Sequence, residues 1–393
     1  MERLPRLNPR ALDRVVRVLC AAATAALSLA GCGGADGGAD NGVMIIDASN
    51  YSGRSIEDAV LTSVACRKSL ADSTCEVKFI ETAVIATGRV FALGEGKLLR
   101  LDDSGAAVVA RDGGGPGELR APIALGTGRD SAVAVFDIGR MRLISMNGET
   151  SPEEIAVFPP ADFRTAKVRT GHLYAYTLPP AAAVGNTVDA AIVRFVPTDS
   201  AWTDTIARFP EPAVSVRGEG GAAASRLPWD PMVLWDVCDD GEVLVGHSDV
   251  WAAQWHRSGD STSRVRRVER SGETRTAMTD AEHDSISRDW LERSPKVPSF
   301  RAELGRRLAT KPQYRPVLSA VFCGEHNSAI LVNTPDFGAG MQTVDIIAKD
   351  GTGLRSIRVP AHIRLTGAFG NELVGVDPTD HVDVVYRIEV TGR

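Results

Sequence analysis

One pattern returns along this 393-residue chain: an apolar run, a polar turn closed by glycine, then a second apolar run. It stands at Leu98-Leu99-Arg100-Leu101 to Gly105, at Arg142-Leu143-Ile144 to Gly148, at Ala253-Gln254-Trp255 to Gly259, and at Val344-Asp345-Ile346-Ile347 to Gly351. A degenerate copy, Val193-Arg194-Phe195, has Ser200 in the place of glycine. The five turn residues are 43, 52, 59 and 92 residues apart. A period in the forties that grows by insertion predicts propeller blades, each a four-stranded sheet of about 40 to 50 residues. With 38 Gly and 21 Pro the chain has turns enough for many short strands, yet stays below the low-complexity range. Its length suits two or three ordinary domains, but all-β architectures run long as one unit.

Each copy is preceded by two further short strands. In the second copy these are Pro122 to Leu125 and Ala132 to Phe136, after which Asp137-Ile138-Gly139-Arg140 turns into the third strand. Apolar alternation is weak, as expected of sheets that stack on both faces. Blades are expected from about residues 76, 119, 161, 228, 313 and 361. The last offers only three strands, Leu365 to Phe369, Leu373 to Val376 and Val382 to Val390, so Val43-Met44-Ile45-Ile46 is expected to supply the fourth and close the ring. The fold class is therefore all-β, a six-bladed β-propeller with seven blades as the alternative.

The Asp137-x-Gly139-Arg140 turn resembles the turn of NHL-repeat blades. Gly113-Gly114-Gly115-Pro116-Gly117-Glu118-Leu119 is similar to the Gly-Pro-Gly-Glu-Phe junction of bacterial six-bladed propellers of that kind, many of them lipoproteins. The resemblance covers most of residues 76–393, and it implies a fold without implying an activity.

Between the fourth and fifth blades the pattern breaks. Thr279-x-x-Glu282 reads as a capping box, followed at helical spacing by Ile286, Trp290 and Leu291 up to Pro295. Ser299 is positioned to cap a second helix with Phe300, Leu304 and Leu308 on one face. This two-helix insertion, about residues 278–310, is expected to pack on the propeller itself.

The N-terminus reads as an address. Arg3, Arg6, Arg10, Arg14 and Arg17 precede an apolar stretch, Val15 to Ala30, too short and Ala-rich for a comfortable membrane span. It ends in Leu29-Ala30-Gly31-Cys32, which resembles the bacterial lipobox, so residues 1–31 are expected to be a lipoprotein signal peptide and Cys32 the lipid attachment site. Residues 32–42, with two Gly-Gly-Ala-Asp tetrads, form a flexible tether, and 43–393 the propeller domain. Several acyl chains on Cys32 would make membrane attachment essentially permanent. The expected location is the cell envelope, extracytoplasmic. Gly33, where by resemblance an Asp would favour retention at the inner membrane, leans towards the outer membrane where one exists. Processing leaves 39 basic and 48 acidic residues, a net charge of −9 against −6 for the whole chain, which argues against nucleic acid as a partner.

Candidate functional residues are few. The Gly113 to Gly117 run lacks the Gly-Lys-Ser/Thr ending of a phosphate loop and reads as a blade-to-blade turn. No His-Glu-x-x-His, Cys-x-x-Cys, Gly-x-Ser-x-Gly or EF-hand pattern occurs, so no catalytic residue, metal site or cofactor is assigned. His247-Ser248-Asp249 offers a His and an Asp two apart on a strand, as base and orienter or as ligand contacts, although a middle-strand turn with core aromatics is the preferred reading. Trp229 and Trp235 on the same blade would suit a flat or saccharide ligand. Calcium-dependent propeller hydrolases need a ring of carboxylates. The inner strands here supply Glu81 and Asp236 beside the basic Lys167 and Arg364, a mixture better suited to ion pairs across the channel. Arg264 to Arg270 alternates basic and apolar residues like an outer strand with a solvated face. His247, Asp249, Asp236, Glu81 and Trp229 are thus the candidate ligand-binding set.

Of six Cys, four remain after processing and lipidation, and an exported protein is expected to oxidise them. Cys66 and Cys75 flank eight residues and suit a local bridge. Cys238 and Cys323 end equivalent innermost strands in neighbouring blades and suit a staple across the helical insertion. The expected function is a lipid-anchored binding or scaffold protein whose partners are the membrane and either envelope proteins or a small-molecule or saccharide ligand. The alternative is a propeller hydrolase or lyase with its site at the channel mouth.

Overall fold

The computed structural model describes residues 44–47, 56–64 and, apart from short stretches, 80–390. Residues 1–31, expected to be a signal peptide, Cys32, the tether expected over 32–42, Val43 and the Cys66/Cys75 pair lie outside the described residues.

The described chain is a β-propeller. Blade 1 is the antiparallel meander Ile80–Ala86, Arg89–Gly94, Lys97–Asp102 and Gly105–Ala110. Blade 2 comprises Pro122–Thr127, Val133–Asp137, Arg142–Met146 and Glu153–Val157. Blade 3 comprises Thr165–Arg169, His172–Thr177 and the long hairpin Thr187–Val196 with Ala201–Pro212. Blade 4 runs Val233–Val237, Val243–His247, Ala252–His256, Arg266–Glu269. Blade 5 runs Leu318–Cys323, Ala329–Asn333, Met341–Ile347, Leu354–Pro360. Blade 6 has Arg364–Phe369, Glu372–Asp377 and Val384–Glu389. The first strand of each blade touches the first strand of the next, and that of blade 6 returns to that of blade 1. Those first strands line the channel.

Blades stack through apolar faces. Leu98, Phe91, Leu93 and Leu119 join Val133, Val135 and Leu125 between blades 1 and 2, and Trp251, Trp255 and Leu244 join Leu318, Leu331 and Ile347 between blades 4 and 5. Burial on both faces explains the near-continuous apolar strands, such as the wholly buried Val133–Asp137.

Closure differs from the expectation. The fourth strand of blade 6 is Val60–Val64, antiparallel to Val384–Glu389, with Val385 opposite Val64 and Glu389 opposite Val60. Met44–Asp47 lies parallel to Arg266–Glu269 as a fifth strand on blade 4, and Ile56–Asp58 lies parallel to Leu354–Pro360 as a fifth strand on blade 5. The N-terminal segments thus add strands to three consecutive blades. Val64 is buried and Leu61 packs on the blade 5/6 core, so the later segment carries the apolar side chains that blade 6 needs.

The insertion is helical as expected. Helix α1 spans Asp280–Arg293, and its Thr279/Glu282 capping box is formed, with Thr279 Oγ1 accepting from the Glu282 N–H at 3.2 Å. Helix α2 spans Pro298–Leu308. It starts at Pro298 behind Val297, not at a Ser299 cap, because a proline in the first turn needs no N–H partner. Phe300, Leu304 and Leu308 are buried with Trp290, Leu291, Leu227 and Trp229, so the stripes pack on the parent domain.

Candidate functional site

The site with the most converging chemistry lies on the first strand of blade 3. Thr165, Lys167 and Arg169 alternate along that strand and so share a face. All three reach towards blade 4. Thr165 Oγ1 accepts from Trp235 Nε1 at 3.2 Å, Lys167 Nζ donates to Asp236 Oδ1 at 2.8 Å, and Arg169 Nε donates to Asp239 Oδ1 at 2.7 Å. Asp236 also accepts from the Cys323 N–H of blade 5 at 2.9 Å, which ties three blades at one carboxylate. The ammonium of Lys167 sits 5.6 Å from the Trp235 ring centre and 5.7 Å from that of Phe322.

Two cavities meet at Arg169. One, of about 380 Å³, is the channel interior, where Thr82, Thr366 and Phe369 join Lys167 and Asp236. The other, of about 770 Å³, is the mouth at the end where the first strands turn back, lined by Thr87, Thr170, Asp239, Phe369 and Ile85. Arg169 is only 5% exposed; its Nη1 donates to the Ala368 carbonyl at 3.1 Å and its guanidinium lies over Phe369, 5.2 Å from the ring centre. Two turns on the rim, Thr87-Gly88 and Thr170-Gly171, hold positive φ at both residues: 52° and 72°, then 48° and 74°. Such turns match the twist of a two-residue hairpin, but a β-branched threonine in that region is strained. Strain of this kind persists where surrounding structure enforces it, commonly around binding sites.

The sequence-derived candidates are not brought together. Asp236 is in the channel, paired as described. Lys167 and Asp236 form an ion pair between the neighbouring first strands of blades 3 and 4, not across the channel as expected, and Arg364 donates to the backbone carbonyls of Ile80 and Glu81 while the Glu81 side chain is exposed. His247 ends the second strand of blade 4 at the opposite end of the channel from the Asp239 turn, since Val233 pairs with His247 and Val237 with Val243. Its ring stands edge-on to Phe209 at 6.4 Å. Ser248 Oγ accepts from the Met232 N–H, and Asp249 faces Arg275 at 3.6 Å, so this motif forms a turn. Trp229 stacks against His283 in the helical cluster, 5.2 Å between ring centres, and Trp251 and Trp255 are core residues.

Two other motifs prove architectural. The Asp137 carboxylate accepts from the N–H groups of Arg120, Ala121 and Gly139, and Arg140 donates to the carbonyls of Glu118, Gly113 and Gly115. The Gly115 N–H is already taken by the Glu118 carboxylate at 2.5 Å, so the glycine run holds its own anion where a phosphate loop would hold a ligand's. The basic strand pairs locally: Arg267 with Glu269 at 2.9 Å, while Arg270 stacks on Trp251 at 4.2 Å and reaches the buried Asp345 at 3.4 Å.

Arg169, Asp239 and Phe369 escaped sequence reasoning. Arg169 sits beside a Thr-Gly turn and reads as a solvated strand end; the usable signal was a second basic residue two positions after Lys167 on a channel strand.

No protein-family model matches the chain, and no curated protein matches it. Among solved structures the chain is similar to virginiamycin B lyase from Staphylococcus aureus, at 9% identity over 85% of this chain and 100% of that one, TM-score 0.39. It is also similar to a gluconolactonase from Xanthomonas campestris, at 10% identity over 84% and 89%, TM-score 0.38. An oligogalacturonate lyase in complex with manganese matches at 9% identity over 86% and 99%, TM-score 0.39. At such identities the likeness does not extend to the site.

Proposed function

We propose that the protein is a lipid-anchored, extracytoplasmic six-bladed propeller that binds a ligand at the Arg169 mouth. Anchoring rests on Leu29-Ala30-Gly31-Cys32 behind a basic, apolar leader. The observation that carries binding is the meeting of two cavities at a buried guanidinium, with apolar Phe369 and Ile85 and threonine hydroxyls beside it. A concave site of a few hundred Å³ with few convergent polar groups is the usual form of a small-molecule pocket. The channel's ionisable groups favour binding over acid–base chemistry, because Asp236 and Lys167 are committed to each other and Asp236 additionally to a backbone N–H.

Metabolic labelling with palmitate and envelope fractionation test the anchor. The wild-type chain is expected to be labelled and membrane-bound, and Cys32→Ala to be unlabelled. Persisting label in the variant, or an unlabelled wild type, overturns the anchoring.

A further inference from the structure

We infer that the mouth recognises a carboxylate on a small organic molecule, with Arg169 as the anion-binding group and Asp239 as its resident competitor; this rests on the reading of the mouth as a binding site. A guanidinium carries five N–H donors. Arg169 spends Nε on Asp239 and Nη1 on the Ala368 carbonyl, and Nη2 has no partner among the described residues. Arg169 borders both cavities, and its unpaired Nη2 is not sealed from solvent, so an incoming group can reach it.

The surroundings select the chemistry. The guanidinium lies over the Phe369 ring, and Nη2 shares an edge with Nε, so a planar, two-oxygen carboxylate that displaces Asp239 can take both nitrogens. Phe369 and Ile85 offer an apolar wall for the body of the ligand. Asp239 is held differently. Its side chain is 58% exposed while that of Arg169 is 6% exposed, so the acid stands at the solvent end of the pair and the base at the cavity end. An exposed carboxylate bound through one Nε contact is readily exchanged for, or joined by, a ligand carboxylate on the neighbouring nitrogen. Asp239 then lowers affinity by partly neutralising the charge the ligand seeks.

The test uses the full-length protein in detergent, with benzoate and its neutral isostere benzamide as probes and saturation-transfer NMR to measure affinity. Benzoate is expected to bind roughly tenfold more tightly than benzamide, as a charge-assisted hydrogen bond would give. Arg169→Gln is expected to reduce benzoate to the level of benzamide. Asp239→Asn, at a side chain 58% exposed, is expected to tighten benzoate severalfold and leave benzamide unchanged. This arm decides the matter if Arg169→Gln fails to fold: no gain for benzoate in Asp239→Asn overturns the inference. Equal affinities that fall together in Arg169→Gln leave a mouth that binds but reject carboxylate recognition. Equal affinities untouched by either variant reject the mouth site as well.

Discussion

Gly126 and Val168 are bridged so closely that a Cβ on Gly126 would stand 1.8 Å from the Val168 carbonyl oxygen. This parallel bridge between first strands joins blades 2 and 3 into one eight-stranded sheet and sets the approach of the strand that carries Lys167 and Arg169. Only glycine allows that approach, because the obstructing atoms are backbone. Gly126→Ala should cost about 3 kcal/mol through forced separation of the two strands. Gly305→Ala, in helix α2 with nothing within 4 Å of its added Cβ, should instead gain roughly 0.5–1 kcal/mol. Thermal unfolding of the two variants checks the opposite signs.

The disulfide between Cys238 and Cys323 ties blades 4 and 5 where the helical insertion separates them in sequence. The bridged residues are 85 apart in the chain, their Cα atoms 5.1 Å apart, and both are fully buried. Removing the bridge returns entropy to the unfolded chain and costs up to about 4.5 kcal/mol of stability for so long a loop. Replacing both cysteines with alanine should therefore lower the unfolding midpoint in urea clearly. Because Cys323 also donates its N–H to Asp236, the Lys167–Asp236 pair should loosen in the same variant.

What the sequence made legible follows from where its signals lie. The blade starts read from apolar runs and turns, about 76, 119, 161, 228, 313 and 361, precede the first strands at Ile80, Pro122, Thr165, Val233, Leu318 and Arg364 by only a few residues. Glycine turns and doubly buried strands are local features, visible without knowing the partner. The two helices were legible for the same reason, through the Thr279 capping box and the Phe300/Leu304/Leu308 spacing. Strand closure was not, because Met44–Asp47, Ile56–Asp58 and Val60–Val64 are all short and apolar enough, and only three-dimensional register decides which one meets Val384–Glu389. The site was half legible: a charge on a channel strand, as at Lys167 and Asp236, stands out against apolar neighbours, whereas Asp239 belongs to a turn that any polar residue would suit.

That closure makes a prediction of its own. Replacing residues 60–64 by a Gly/Ser segment leaves blade 6 three-stranded, strips Val64 from the core and exposes the backbone groups of Val384–Glu389. The same replacement at 44–47 removes only a fifth strand from a blade that already has four. The melting temperature should fall markedly in the first variant and slightly in the second. Equal losses would mean that the two segments contribute alike to the ring.

Acid sensitivity should trace in part to His256, at the end of the third strand of blade 4, opposite Val243. Burial holds the imidazole below its ordinary value of 6.5, which disfavours the charged ring in the folded protein. The unfolded chain, titrating near 6.5, takes up a proton that the folded chain refuses, so the unfolded state binds more protons on the acid side and stability rises with pH across that range. The contribution is complete above the unfolded value and is lost progressively as the pH falls below it, down to the folded value. His256→Gln removes the titration and keeps a polar side chain of similar length. Measured from pH 7.5 down to pH 5, the melting temperature of the wild type should therefore fall relative to that of the variant as the solution is acidified. Parallel curves would show that His256 is solvated in the folded protein and takes no part in the acid response.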